Sequence, residues 1–464
     1  MSVRAWILTT GVVLATLIGW SAGLHAGKST PTSPLQDAQV AFDGRLYDRA
    51  LTLLEPLTKE DGAPPDARRL KIRVLTRLGR PADALAEYGR LEAKIGGDDD
   101  ALLREMAMGF ITALLKDMRE QMRGAAYTAL KELDSFEAIP YFEDGLSDGS
   151  GLIRALAAEG LGRSKKGRES PRLRTALEDQ AAIVRVAALK GLGRSGQRSV
   201  VDLVEGKLKD EQPTVRVAAS AALVLLGRAD AWNQVRDAAA AANPEERGAA
   251  LRSLGDLRDR RAMPILEQGL SDSQPSVRGA AASALGGMGV PEAAAVLVPL
   301  LADPVPAVRA AAAVSLGELH ATESAPALKN AVADPNQAVK AAAASALLRL
   351  GRPYEDVATA IRELAQNTDP GIRAAAAKAL GRSEGSAARE AIGRLRLLLD
   401  DPLPRPRIAA ARSLGHVKGG ERGELVAILK RALADQDEAV RATAAGALGR
   451  ILGPPGSGKA QRAD

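Results

Sequence analysis

Across residues 98–453 the apolar positions of the chain recur in one phrase. In Asp303–Gly317, DPVPAVRAAAAVSLG, the residues Val308, Ala311, Ala312, Ser315 and Leu316 fall at i, i+3, i+4, i+7 and i+8. That is the spacing of one packed helix face, and Val277, Ala280, Ala281, Ala284 and Leu285 repeat it one unit earlier. Aligned on its arginine, the phrase returns at Arg123, Arg154, Arg185, Arg216, Arg247, Arg278, Arg309 and Lys340, all 31 apart, then at Arg373, Arg407 and Arg441 at 33 or 34. These eleven positions predict eleven units. An earlier helix in each unit shows as two apolar columns four residues apart, one running from Phe142 and Leu173 to Leu328, the other from Leu146 and Leu177 to Val332. An Asp six residues before the arginine, often followed by Pro, predicts the turn between the two helices. Gly286, Gly317, Gly381 and Gly449 are expected to end the second helices in the left-handed conformation.

A period of this length means that each hairpin has an apolar face it covers only by stacking on its neighbours. The phrase D-x5-R-x-A-A-x-x-A-L-G resembles the HEAT family of helical repeats, in its short alanine-rich, phycobilin-lyase-like variety. The resemblance implies an all-α fold, a right-handed α-solenoid superhelix. It also implies that aspartates and arginines pair in a ladder, namely Asp148, Arg154, Asp179, Arg185, Asp210, Arg216, Asp272, Arg278, Asp303 and Arg309. An acid beside nearly every arginine argues against a row reserved for nucleic acid. The unit from Ala231 to Gly255 departs from the pattern, with Ala241 in the Asp column, Glu246 in the Val column, and Trp232 nearby.

Upstream the period changes. Gly44-Arg-Leu-Tyr47-Asp-Arg-Ala50-Leu51 is echoed by Gly79-Arg-Pro-Ala-Asp-Ala84-Leu85, which resembles tetratricopeptide hairpins over residues 35–97 and predicts a cap on the solenoid. Most aromatic residues lie early in the chain. Phe42, Tyr47 and Tyr88, with Trp232 farther on, are the candidate residues for a partner groove, although helix hairpins also need bulky residues as core. Asp98 to Asp100 are expected to cap a helix from Ala101 to Leu115. After Lys340 the extra residues of the longer units are expected in turns.

Residues 1–27 form a separate element. Ala5 to Leu24 carry no charge, Arg4 precedes them, and Trp6 and Trp20 stand near the two ends. This predicts a membrane-spanning signal anchor, or a cleaved signal peptide, followed by a polar linker at 28–34. The localisation expected is the cell envelope, with the repeats on the periplasmic or exterior side of the inner membrane, or free in the periplasm after cleavage.

Composition narrows the function classes. Lys and Arg exceed Asp and Glu by 63 to 57, a net charge of +6 that implies no strong field toward DNA or lipid. The absence of cysteine excludes disulfides, thiolate metal sites, a cysteine nucleophile and a lipoprotein anchor. His25, His320 and His416 are too few for a di-metal centre, and no cofactor is expected. The tail motif Gly453-Pro-Pro-Gly-Ser-Gly-Lys459 imitates a phosphate-binding loop, but Ala460 follows the lysine and no strand precedes it, so no nucleotide is expected. Residues 454–464 are expected to be a disordered tail. The reading is a non-catalytic scaffold or adaptor that binds a protein or peptide, and the alternative is a lyase-like enzyme that handles a chromophore or ligand.

Overall fold

The computed structural model describes residues 33–454 apart from residue 134. The expected anchor at 5–24 and nearly all of the tail motif lie outside these residues. Among the described residues there is no strand, and no helix is long and apolar enough to cross a membrane.

Four helices open the described chain: α1 (Pro34–Asp43), α2 (Tyr47–Leu57), α3 (Pro65–Arg77) and α4 (Pro81–Ile95). Ser33 and Gln36 form a reciprocal capping box at the start of α1. Between α3 and α4 the fully buried Arg68 pairs with the buried Glu87, which also meets Lys71 at 3.2 Å. Asp99 then caps α5 (Asp100–Thr112) by accepting from the Leu102 amide.

From α5 onward the hairpins repeat. A short outer helix packs its column residue, such as Leu173, Val204, Leu266 or Leu328, fully inside. The second helix is longer, alanine-rich and buried on most sides. Pro213, Pro275, Pro306, Pro370 and Pro404 each begin one, where a missing amide costs no hydrogen bond. The longer units do not place their extra residues only in turns. They extend the outer helices, so that Ala388–Leu398 and Arg422–Ala432 run 11 residues where Met263–Gly269 runs 7.

Gly286, Gly317, Gly381 and Gly449 do not adopt the left-handed conformation. Gly286, Gly317 and Gly449 lie inside their helices and Gly381 follows one with right-handed backbone, and their missing side chains let adjacent second helices touch. A Cβ on Gly286 would stand 2.6 Å from Ser315 Cβ, and one on Gly317 would stand 2.9 Å from Ala346 Cα. Left-handed residues follow later, at Gly289, Arg258 and His320. Ala311 is only half-buried, whereas Ala312 and Ala313 are completely inside.

The array does not stay open. The last second helix, Glu438–Leu452, packs against Glu120–Leu133, the first second helix, and against α5, as each unit packs on its predecessor. Gly446 meets Ala129, where a Cβ would lie 3.0 Å from the alanine Cα. Repeat register would put Gly449 there, so the closing contact is displaced by three residues, about 4.5 Å along the helix. Arg104 of α5 reaches over to the carbonyls of Gly449, at 3.0 Å, and Gly453. Lys430 bonds Glu92 and Asp98, each at 2.6 Å, and Arg422 bonds Asp100 at 2.7 Å. Eleven second helices therefore form a closed ring in place of the open superhelix expected, and α1–α4 dock at the seam. With axes 8–10 Å apart, the ring encloses a lumen on the order of 20 Å wide between helix surfaces.

Candidate functional site

The expected ladder is present, and its pattern is between units. Arg278 donates Nε and Nη2 to Asp303 at 2.8 and 3.0 Å, and Asp303 Oδ1 also accepts from the Val305 amide at 2.8 Å. The carboxylate thus joins the preceding hairpin to the turn of its own. The next arginine closes the pattern locally, Arg309 Nη1 donating to the Asp303 carbonyl at 2.8 Å. Equivalent side-chain pairs join Arg154 to Asp179, Arg185 to Asp210, Arg247 to Asp272 and Arg309 to Asp334, while Asp148 is held by Arg123. The Arg278 hydrogen bond holds the Asp303 carboxyl below its usual range, and Arg154 and Arg247 do the same for Asp179 and Asp272. Arg216 lacks its aspartate because Ala241 occupies that column. Glu246 replaces it from the following helix at 3.6 Å, so the irregular unit has moved its acid rather than lost it.

The aromatic candidates divide. Phe42 and Tyr47 are half-buried, with ring centroids 5.6 Å apart inside the first hairpin. Tyr88 and Trp232 are core residues and do not form groove walls. Tyr88 donates to Asp98 at 3.0 Å and accepts from the Asp99 amide, while Trp232 lies 6 % exposed beneath the Arg261 guanidinium. The four residues do not come together. Their position in the hairpins explains this, since the only bulky filler available between such alanine-rich helices is aromatic or branched.

What the sequence reading missed is the inner wall. Each second helix but the last leaves one stripe uncovered, at the positions two before and five and nine after the ladder arginine, spacings that share one helix face, while on Glu438–Leu452 Ala439 and Gly446 are buried and only Arg450 stays exposed. Two contacts prove that this stripe faces inward on a strongly concave surface. Lys190 reaches across the intervening helix Pro213–Leu225 to Asp256 at 3.1 Å, and His416 reaches past Glu438–Leu452 to Glu132 at 3.0 Å. Burial alone would raise the Glu132 carboxyl, but the His416 hydrogen bond, with Arg450 and Arg412 nearby, holds it at about 2.

Charge is unevenly spread around this wall. Over the seven helices from Gln337–Arg349 across the seam to Ala182–Gly193, the row nine after the ladder carries Arg349, Arg382, Arg450, Arg163 and Arg194. Lys378, Arg412 and Lys190 stand in the row five after, and Arg405 in the row two before. Only Glu132 and Glu159 oppose these nine cations on the same arc. The other four helices present Arg252 against Glu245, Asp256 and Glu318, among small and apolar residues. Lys190 and Arg450 are paired, but among the described residues Arg163, Arg194, Arg349, Lys378, Arg382 and Arg405 have no carboxylate partner. On the same wall Leu152 and Ile183 are 53 % and 54 % exposed. The signal was available in the sequence, because the nine-after row keeps the spacing of the ladder, 31 residues from Arg163 to Arg194 and 33 from Arg349 to Arg382, but the ladder arginines overshadowed it.

Outside the ring, a cleft of about 470 Å³ between Ala388–Leu398 and Arg422–Ala432 is lined by Arg396, Asp400, Glu424, Ile428 and Arg431. A second of about 620 Å³ lies beside Tyr127, Tyr141, Asp117 and Asp144. Burial pushes the Tyr127 phenol up to about 12. Among the described residues no three His, Asp or Glu side chains are placed to share a metal ion.

The sequence profile described as HEAT repeats matches residues 107–185, 170–242, 233–317, 297–381, 325–398 and 392–461, nearly the whole ring. The chain belongs to the HEAT-repeat family. No curated protein matches it. Among solved structures this HEAT protein is similar to human deoxyhypusine hydroxylase in complex with glycerol, at 22 % identity over 54 % of this chain and 97 % of that one, with TM-score 0.32. It is similar also to an engineered protein, at 17 % identity over 76 % and 99 % of the two chains with TM-score 0.30. The complex of CpcE and CpcF of phycocyanin lyase from Nostoc sp. gives 22 % identity over 55 % and 92 %, with TM-score 0.31. At these identities and TM-scores the likeness carries no reading of function.

Proposed function

We propose that this HEAT protein is a non-catalytic scaffold, a ring that holds a segment of another protein against its inner wall. The observation that carries the reading is the contrast between the two sets of arginines. Those of the ladder are satisfied within the fold, whereas six cations of the inner wall point into the lumen unpaired. Unpaired cations on a concave surface are available to a ligand. We place the ring at the outer face of a cytoplasmic membrane, tethered through residues 5–24, because those residues are uncharged over the length of a bilayer and follow a positive start.

The test is a photo-crosslinking side chain placed at Ser345 or Lys378 on the inner wall, or at Arg198 on an outer helix, in intact cells. A discrete protein adduct from the inner positions and none from Arg198 supports the scaffold. Inner positions that yield no adduct overturn it. Resistance of the protein to alkaline extraction, with repeats digestible by protease added outside the inner membrane, tests the tether. A purified ring that retains a coloured ligand would favour the lyase-like alternative instead.

A further inference from the structure

We infer that the segment held in the lumen is an acidic, extended polypeptide seated along the arc from Arg349 across the seam to Arg194. This rests on the scaffold reading and names the class of partner. Six cations without partners on one side of the ring, facing a wall that is neutral to acidic on the other, favour an anionic guest lying against one side only.

The dimensions fit a single chain. Long arginine and lysine side chains project into a lumen on the order of 20 Å wide, which leaves room for one extended strand or one helix but not for a folded domain. Seven of eleven helices around that lumen trace a path of about 35 Å, the length of about ten extended residues at roughly 3.3 Å each. On each side of the seam neighbouring helices then offer a cation at about every second residue, while Glu120–Leu133 offers none and Arg450 is paired with Glu132, and alternate side chains of an extended chain face the same way. A guest with acids at alternate positions would meet successive guanidinium groups.

The chemistry favours protein over nucleic acid. Single-stranded nucleic acid is held on aromatic platforms, and none of the three inner rows contains Phe, Tyr or Trp. The exposed apolar residues of the arc are instead the aliphatic Leu152 and Ile183, about 16 Å along the inner wall from Arg163 and Arg194. The chain's own C-terminal residues do not suit the site, because Lys459 and Arg462 outweigh Asp464 there.

The experiment uses the purified full chain and a fluorescein-labelled twelve-residue peptide with Glu at alternate positions and Leu among the others, followed by fluorescence anisotropy. Peptide affinity should fall at least tenfold in R163Q/R194Q/R382Q, fall again with added salt, and stay within twofold in the outer-surface control R198Q/K209Q/R389Q. A peptide with Gln in place of Glu should not bind, and a thymidine oligonucleotide of equal charge should bind more weakly than the acidic peptide. All the substituted side chains are exposed, and thermal unfolding of each triple variant confirms that the ring remains folded. Unchanged affinity in the inner triple variant, no binding by the unmodified protein, or tighter binding of the oligonucleotide would each overturn the inference. If inner-wall photo-adducts persist in that event, the scaffold stands and only the acidic class of partner is lost.

Discussion

Arg104 and Gly449 are 345 residues apart in the chain, yet the arginine Nη1 donates to the glycine carbonyl over 3.0 Å. Arg104 is almost completely buried, and burial pulls its pKa below the ordinary value. It holds the end of the final helix of the ring, donating to the Gly449 carbonyl, which also accepts from the Gly453 amide, and to the Gly453 carbonyl just beyond the helix. One side chain from the first repeat therefore terminates the last.

Arg104→Ala should loosen the seam. Loss of hydrogen bonds to a charged donor implies a cost of about 2–3 kcal/mol, measured by urea unfolding. Small-angle scattering should show a larger radius of gyration, since the array regains free ends. A compact variant of unchanged radius would mean that helix packing alone closes the ring.

The ladder predicts a graded series. Asp303→Ala strands Arg278 and removes the cap on the Val305 amide, and should cost about 3 kcal/mol. Arg216→Ala should cost under about 1 kcal/mol, because its contact with Glu246 is 3.6 Å long and partly solvated. Chemical denaturation of the two variants side by side measures the difference, and equal losses would contradict it.

Two glycines should respond in opposite directions. Gly286→Ala forces a Cβ against Ser315 and should destabilise by about 1–3 kcal/mol. Gly279→Ala, on an inner helix with nothing within 4 Å of the new methyl, should stabilise by about 0.5–1 kcal/mol. Thermal unfolding reads both signs. Stabilisation by Gly286→Ala would mean that adjacent helices are farther apart than described.

Stability should fall in acid. The ladder aspartates are depressed in the folded state, Asp303 by its bond to Arg278 and Asp334 by its bond to Arg309. Such groups stabilise the fold above their unfolded pKa, near about 3.9, and that contribution disappears as pH drops through the lower folded values. The melting temperature should therefore be level with respect to these groups between pH 7 and 5 and decline below about pH 4. In the Asp303→Ala variant the acid decline should be shallower.

The hairpins were readable in the sequence because the 31-residue period and the helical spacing of Val277, Ala281 and Leu285 report the same packing twice. The ladder was implied by the family resemblance, which left open pairing within or between units, and the structure puts the side-chain pairs between units. Closure was not readable. Each hairpin turns by about 33° to complete a circle of eleven, and an error of three degrees per unit would accumulate to about one whole hairpin. No single residue encodes so small a rotation. Arg104 and Gly446 reveal the seam only once the two ends are adjacent. The left-handed role expected for Gly286 and Gly317 failed for a related reason. A glycine near a helix end signals either a sharp exit or a close crossing, and sequence spacing does not separate the two. Ala311 was placed one position too deep, since the second helices are buried nearly all round and only the inner stripe escapes.

An array with free ends gains or loses modules by duplication and deletion with little penalty, and its length drifts. Joined head to tail, this one has no such latitude. A twelfth hairpin would carry the Gly449 carbonyl out of reach of Arg104, and a tenth would leave a gap one module wide. The number of repeats is thus as constrained as any buried side chain, and length change in this protein must come through its loops and its outer helices, where the longer units have already absorbed it.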